Sequence, residues 1–188
     1  MDGTDEDLIL HVGAGRVEAL GPLVARWEQP LFRFVYRIVG RSEDARDVCQ
    51  ETFLRILDRA TDFRHGARFS TWMYQIALNL CRDRARHQRR WSHRFVTPDG
   101  EMDATASARA DTPAPDDAAS GVEVQEAVRR ALAGLPGEQR EVVVLKEYEG
   151  LKFREIAEVL GAPESTVKSR LYAALDTMRE SLARQGFR

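Results

Sequence analysis

Apolar residues recur every three or four positions through most of the chain, and sustained alternation is absent. That period predicts helices rather than strands. Thr4 and Asp7 resemble a capping box opening a short first helix, which Gly13 and Gly15 interrupt. A long helix then runs to about Val39, with Pro30 a bend and Gly40 the stop. Ser42 is placed to cap the next helix, which carries Ala45, Val48, Cys49, Phe53, Ile56 and Leu57 inward. Thr61 to Arg68 reads as a loop. From Ser70 or a neighbour, a last helix of this half buries Phe69, Trp72, Met73, Ile76, Ala77 and Leu80.

The second half repeats the logic. Ser120 and Glu123 form another capping-box pattern, followed by Val124, Ala127, Val128, Ala131 and Leu132 facing inward. Pro136 suits a first helical position, and Gly150 ends that helix. Val142 to Leu145 is the one β-branched run. Its place between Pro136 and Gly150, with Val142, Leu145 and Tyr148 as a stripe, favours helix over strand. From Lys152 to Arg184 the pattern is helix, sharp turn, helix. Ala157 allows close approach, Gly161 accepts positive φ at the stop, and Val167 points into the interhelical angle. This arrangement sets the second helix across a DNA major groove, although a plain solvated helix pair has the same outline.

Between the halves, residues 96–120 hold almost no large apolar side chain and are rich in Ala, Asp, Pro, Ser and Thr. Such a segment cannot offset its ordering entropy by burial and reads as a flexible acidic linker. The expected architecture is all-α. A helical domain over 1–95 is joined by the linker over 96–120 to a second helical domain over 121–188.

Net charge is only −2, which argues against nucleic acid until its distribution is considered. Arg82 to Arg94 carries six arginines and one aspartate, whereas Asp99 to Ser120 carries six acids and one arginine. Phosphate attraction depends on the local field, so the segregated basic run matters more than the sum. No stretch is long and apolar enough for a membrane, and the acidic N-terminus lacks a signal-peptide pattern, so a cytoplasmic location is expected. Cys49 and Cys81 read as buried free thiols more readily than as a redox pair. There is no GxSxG, Walker loop, HExxH or metal-spaced cluster, and the four histidines are scattered, so neither an enzyme nor a cofactor is expected. The Gly13–Gly15 pair lacks a preceding strand and does not read as a nucleotide loop.

Three motifs carry more. The first is Glu43 to Phe53, EDARDVCQETF. The second is Phe69 to Asn79, FSTWMYQIALN. The third is the helix-turn-helix, preceded by Leu135-Pro136. In this order and spacing the chain resembles a bacterial sigma factor of the extracytoplasmic-function (ECF) group. The resemblance implies a region 2-like bundle and a region 4-like helix-turn-helix bundle.

It also implies roles. Asp44, Asp47, Gln50, Glu51 and Arg55, opposite the apolar face of the first motif, would dock on core RNA polymerase. The contacts would be with the β′ clamp helices, and the β subunit is also implied as a partner. Arg64, Tyr74, Asn79, Arg82 and Arg86 would hold the melted minus-ten strand, with the Asp62–Arg68 loop capturing a flipped base. Trp72 and Ile76 read as core. Amide, guanidinium and aromatic groups suit an unpaired strand, because bases stack and arginines hold phosphates. Ser165, Thr166, Lys168, Ser169, Arg170 and Tyr172 would meet duplex minus-thirty-five DNA. Lys168, Ser169 and Tyr172 are placed for base edges, Arg170 and Lys152 for phosphates.

Two departures stand out. Relatives often place an arginine after the aromatic position, where this chain has Ala173 and Ala174. Lys152 replaces a small capping residue, which weakens that helix start. The reading is a transcription initiation factor under anti-sigma control, with a linker that either passes through polymerase, masks Arg82–Arg94 or merely spaces the domains. A helix-turn-helix regulator acting without polymerase, and an interaction module that sequesters a regulator, are the rival readings.

Overall fold

The structure, a computed structural model, describes residues 3–95 and 119–187. Apart from Ala119 and Ser120, the predicted linker lies outside them, as does any masking role for it. The chain divides into two compact units, Met1–Ala110 and Asp111–Arg188. Both are helical, with no strand among the described residues.

In the first unit, α1 (Asp5–Gly13), α2 (Leu20–Val39), α3 (Ser42–Asp58) and α4 (Phe69–Phe95) pack around one core. Leu8, Ile9, Leu23, Leu31, Phe34, Ile56, Phe69, Met73 and Leu78 are its largest sealed side chains. The predicted capping box is present. The Thr4 hydroxyl accepts from the Asp7 N–H at 3.1 Å, and Asp7 Oδ2 accepts from the Thr4 N–H at 3.2 Å. Helix α2 runs unbroken through Pro30 and stops at left-handed Gly40. Ser42 is the first residue of α3 rather than its cap; Arg41 holds the cap position without a side-chain bond. Gly13 has a packing reason instead of a nucleotide-binding one. A Cβ there would lie 2.9 Å from the Ala60 carbonyl oxygen, so only glycine lets α1 meet the Ala60–Asp62 turn backbone to backbone.

Three consecutive acids at the start of α1 take three different partners. Asp5 accepts from Arg26 and from the Trp27 indole, each at 2.9 Å. Glu6 Oε1 accepts from the Phe69 N–H at 3.0 Å, at the first residue of α4. Asp7 closes its own capping box, and the hydrogen bonds from Thr4 hold its carboxyl below the usual carboxylate range.

Cys49 and Cys81 are both buried free thiols. Burial, with Glu28 nearby, pushes the Cys49 thiol up to about 12. Only the thiolate reacts readily, so Cys49 is unsuited to redox signalling at neutral pH. Its labelling by a thiol reagent in the native protein is expected to be slow and to become fast on denaturation, which a timed mass-spectrometric assay would show. The linkage has a sign. The folded-state value lies above the ordinary 9.0, so this site's contribution is full below pH ~9 and falls as pH rises from there toward 12.

In the second unit, α5 (Ala119–Ala133), α6 (Gly137–Val143) and α7 (Phe153–Leu160) surround α8 (Glu164–Arg184). Ser120 lies inside α5 rather than before it. Pro136 sits one position earlier than expected, at the cap of α6. Val142 to Leu145 are all buried, and the helix continues from α6 into a wider π turn over Val144–Tyr148. Tertiary burial on every side thus overrides strand propensity. Tyr148 and Val124, expected inward, are instead 41% and 46% exposed. The Arg140 guanidinium closes the end of α5 by donating to the carbonyls of Leu132, Ala133 and Leu135 at 3.2, 2.6 and 3.0 Å. Desolvation lowers its pKa, and the cation sits where α5's C-terminal dipole favours positive charge.

The turn between α7 and α8 forms as the sequence predicts. Gly161 has φ +63, and the Ala162 N–H donates back to the Ala157 carbonyl at 3.1 Å. Val167 is fully buried in the angle between the helices. At the start of α7, Glu155 accepts from the Lys152 N–H at 2.8 Å. The lysine ammonium has no acceptor for the reciprocal bond, so only half of a capping box operates.

Candidate nucleic-acid interface

Three exposed faces gather the predicted site residues. The first lies on α3. Asp47 and Gln50 are exposed, and Glu51 and Arg55 pair at 2.9 Å with both side chains 46% exposed. Leu54 sits among them, 50% exposed, at helical spacing from Asp47, Gln50 and Glu51. Sequence reasoning missed it, because a leucine beside an apolar stripe reads as core. An isolated exposed apolar side chain within a polar ring matches the centre-and-rim pattern of protein interfaces.

Asp44 does not belong to that face. It is 7% exposed and turned toward α4. Arg84 donates to Asp44 at 2.6 and 3.1 Å and to Asp47 at 3.0 Å, and Gln88 adds a bond to Asp44 at 3.3 Å. Burial lowers the Arg84 pKa, but the hydrogen bonds to Asp44 and Asp47 outweigh it, so the value ends above the ordinary one. One of the six arginines of the basic run is therefore committed to holding α3 against α4. The side chains of Arg89 and Arg94 lie outside the described residues.

The second face runs along α4. Gln75, Asn79, Arg82, Arg86 and Arg90 follow at intervals of four, three, four and four, which an α-helix brings onto one side. Gln75, Asn79, Arg86 and Arg90 are exposed, and Arg82 is half-buried. Arg86 pairs with Asp83 one turn away. Tyr74 faces the opposite way. It is 3% exposed, its ring 4.6 Å from Phe34 and 6.1 Å from Trp27, so it is core and offers no open face to a nucleic-acid strand. Gln75, its neighbour, is the exposed residue there. Ile76 is buried as expected, while Trp72 is half-buried, stacked edge-on against Phe63 at 5.4 Å. Arg64 projects from the loop before α4 and is exposed.

The third face is the outer side of α8. Ser165, Lys168, Ser169 and Tyr172 are exposed, Tyr172 by 63%. Thr166 is half-buried, and its carbonyl accepts from the Ser169 hydroxyl at 3.0 Å. Arg170 leaves this face: it pairs with Glu138 of α6 at 2.5 Å, an intramolecular bond that a phosphate would first have to break. Ala174 is wholly buried and Ala173 exposed, so an arginine anchor after the aromatic position is missing only at 173. Two residues not singled out for this face support it. The Phe153 ring holds Lys146 Nζ at 5.1 Å and Lys168 Nζ at 5.4 Å from its centroid. A shared aromatic face keeps the two ammoniums in one patch. Nothing in local spacing reveals this, because Lys146 lies on the element before the motif.

No helix among the described residues is long and apolar enough to cross a membrane. The family model for sigma-70 region 2 matches residues 23–91, and that for sigma-70 region 4 matches residues 125–178. The ECF RNA polymerase sigma factor SigW of Bacillus subtilis is 30% identical over 184 residues, covering 93% of this chain and 94% of SigW. CnrH, solved in complex with the cytosolic domain of CnrY, superposes with a TM-score of 0.69 at 26% identity, covering 97% of this chain and 99% of that one. RpoE of Bartonella quintana, co-crystallised with the anti-sigma factor NepR, shares the fold at a TM-score of 0.71 and 20% identity, covering 87% and 96%. Both sigma-70 regions in order, together with relatives matched nearly end to end, show that the chain belongs to the ECF group of the sigma-70 family, the factors that start transcription at specific promoters.

Proposed function

We propose that the α3 face docks on core RNA polymerase through Asp47, Gln50, Glu51, Leu54 and Arg55, against the β′ clamp helices. The α4 face then holds the melted minus-ten strand, and the α8 face reads duplex minus-thirty-five DNA. The functional domains are 1–95 and 121–188, joined by the 96–120 linker. The observation that carries the reading is the exposed amide–guanidinium stripe of α4. Gln75 and Asn79 can bond base edges, while Arg82, Arg86 and Arg90 neutralise phosphates, a combination suited to unstacked bases. On α8, Lys168 and Ser169 meet base edges, Tyr172 packs beside them, and Lys146 adds a phosphate contact. Two tethered readers need not bind tightly alone, since engaging one element raises the local concentration of the other domain.

CnrH is seen bound to the cytosolic domain of CnrY, and RpoE of Bartonella quintana to the anti-sigma factor NepR. By analogy, an anti-sigma factor controls this chain in the cytoplasm by covering the polymerase-docking face. The test is a pull-down with core polymerase followed by transcription from a promoter library. Stable core binding with new initiation supports the reading; DNA binding without core binding overturns it in favour of a simple regulator. Within that assay, Lys168→Ala is expected to change preference at one minus-thirty-five position, at a cost of about 1–3 kcal/mol. Equal weakening on every promoter would reduce Lys168 to a phosphate contact.

A further inference from the structure

We propose that Glu6 is a positioning residue for capture of the minus-ten strand: from α1, its carboxylate holds the start of α4 and one end of the loop before it. The inference rests on the minus-ten reading of α4 given above and assigns a role to a residue outside that face. Glu6 lies 63 positions from its partner, and its Oε1 accepts from the Phe69 N–H at 3.0 Å. Phe69 opens α4, and α4 brings no acidic residue to its own first turn. The first N–H groups of a helix have no partner within it, and the positive end of its dipole favours an anion. Glu6 supplies both acceptor and charge from another helix. It is itself well placed, because Asp5 ties the same turn of α1 to Arg26 and Trp27 on α2.

The consequence falls on residues 63–68. At one end, Phe63 is buried with its ring 5.4 Å from Trp72, one turn into α4. At the other end, Phe69 is sealed in the core with its N–H on Glu6. Between them, Arg64, His65 and Gly66 are exposed. A loop fixed at both ends and open at its tip is pre-organised, so less ordering cost remains when a base is taken up. Fixing where α4 begins also fixes the directions of Trp72 and of Gln75, the first residue of the exposed stripe. Without Glu6 the first turn of α4 is free to fray, and the loop loses one of its two anchors.

The experiment uses the full chain assembled with core polymerase. The probe is a single-stranded oligonucleotide carrying the minus-ten element of a promoter that the wild-type holoenzyme selects, together with versions abasic at one position each. Glu6→Ala is expected to weaken binding of the intact strand by about five- to tenfold, while Glu6→Gln, whose amide oxygen still accepts the bond, stays within about twofold, the range of a lost and a kept helix cap. Glu6→Asp keeps the charge but shortens the reach, and is expected to behave like alanine. On the oligonucleotide abasic at the captured position, wild type and Glu6→Ala are expected to bind alike, because the pocket that Glu6 positions has nothing to hold. Core-polymerase affinity and the melting temperature of the variants report the fold. Equal weakening of intact and all abasic strands, or a parallel loss of core affinity, overturns the proposal and leaves Glu6 a structural cap. A wild-type holoenzyme that ignores the strand altogether overturns the underlying minus-ten reading instead.

Discussion

Leu54→Glu is expected to abolish competition for core RNA polymerase while leaving the protein folded. The side chain is half exposed on α3, with Asp47, Gln50 and Glu51 around it. Removing it from the free protein leaves no cavity, so stability should change by no more than about 0.5 kcal/mol. In a docked complex the same position is central and apolar. Truncating an interface centre costs about 2–4 kcal/mol, and a carboxylate adds the cost of a desolvated charge. The expected loss is at least about thirtyfold in affinity, since each 1.4 kcal/mol is tenfold. Gln50→Ala with Glu51→Ala, at the rim, should weaken docking less. Val17→Glu is the control: it is 53% exposed but lies just before α2, off this face. The readout is competition with a labelled sigma factor for core polymerase, beside a thermal melt. Undiminished competition by Leu54→Glu would remove α3 as the docking face.

Much of this arrangement is legible in the sequence because it is local. The capping box at Thr4, the stop at Gly40 and the turn at Gly161 each rest on residues within one turn of one another. The helix-turn-helix register follows from Val167, Leu171, Ala174 and Met178, which recur at four, three and four and are all buried. What escapes local reading involves partners far along the chain. Tyr74 looked available because one apolar stripe already accounted for α4. That helix is covered by both α2 and α3, so a second, adjacent stripe of Tyr74, Leu78 and Cys81 is buried as well. Asp44 and Arg170 share one cause. Each is a charge at a plausible contact position whose counter-ion, Arg84 or Glu138, lies more than thirty positions away. The predicted site residues that do stay exposed lie on the outward stripe of their helix, away from the buried Val167–Met178 stripe, such as Lys168, Ser169 and Tyr172 on α8.

The exchange of Asp44 for Leu54 matters mechanistically. With Asp44 on the face, docking would look purely electrostatic and highly salt-sensitive. With Leu54 at its centre and Glu51–Arg55 paired at its edge, the proposed docking is expected to draw much of its affinity from apolar burial, with exposed charges setting encounter rate and salt response. Asp47 joins the two regimes: it is exposed for a partner, yet already shares Arg84 with Asp44.

Arg84→Met is expected to destabilise the N-terminal unit by roughly 2 kcal/mol, and Asp44→Ala by a similar amount. Breaking a fully buried ion pair from one side costs about 3–5 kcal/mol because a charge is left desolvated. Here the Asp44 side chain is 10% exposed but that of Arg84 is 35% exposed, so water offsets part of the cost. Gln88, and Arg41 at 3.8 Å, remain near Asp44 and offset a little more. Asp47→Ala removes only the exposed half of the bridge, with its side chain 62% exposed, and should cost no more than about 0.5 kcal/mol. The chain's three tryptophans, Trp27, Trp72 and Trp91, all belong to this unit, so urea unfolding followed by selectively excited tryptophan fluorescence reports on it without the tyrosines of the second unit. Asp44→Ala and Asp47→Ala should then separate cleanly: the first shifts the unfolding midpoint, the second shifts only polymerase competition. The double variant Asp44→Leu with Arg84→Met removes both charges and should recover most of the loss, as replacing a buried pair by apolar groups commonly does. If Asp44→Ala leaves the midpoint unchanged and weakens docking instead, the carboxylate belongs to the polymerase after all, and the bridge to α4 contributes nothing to holding the bundle together.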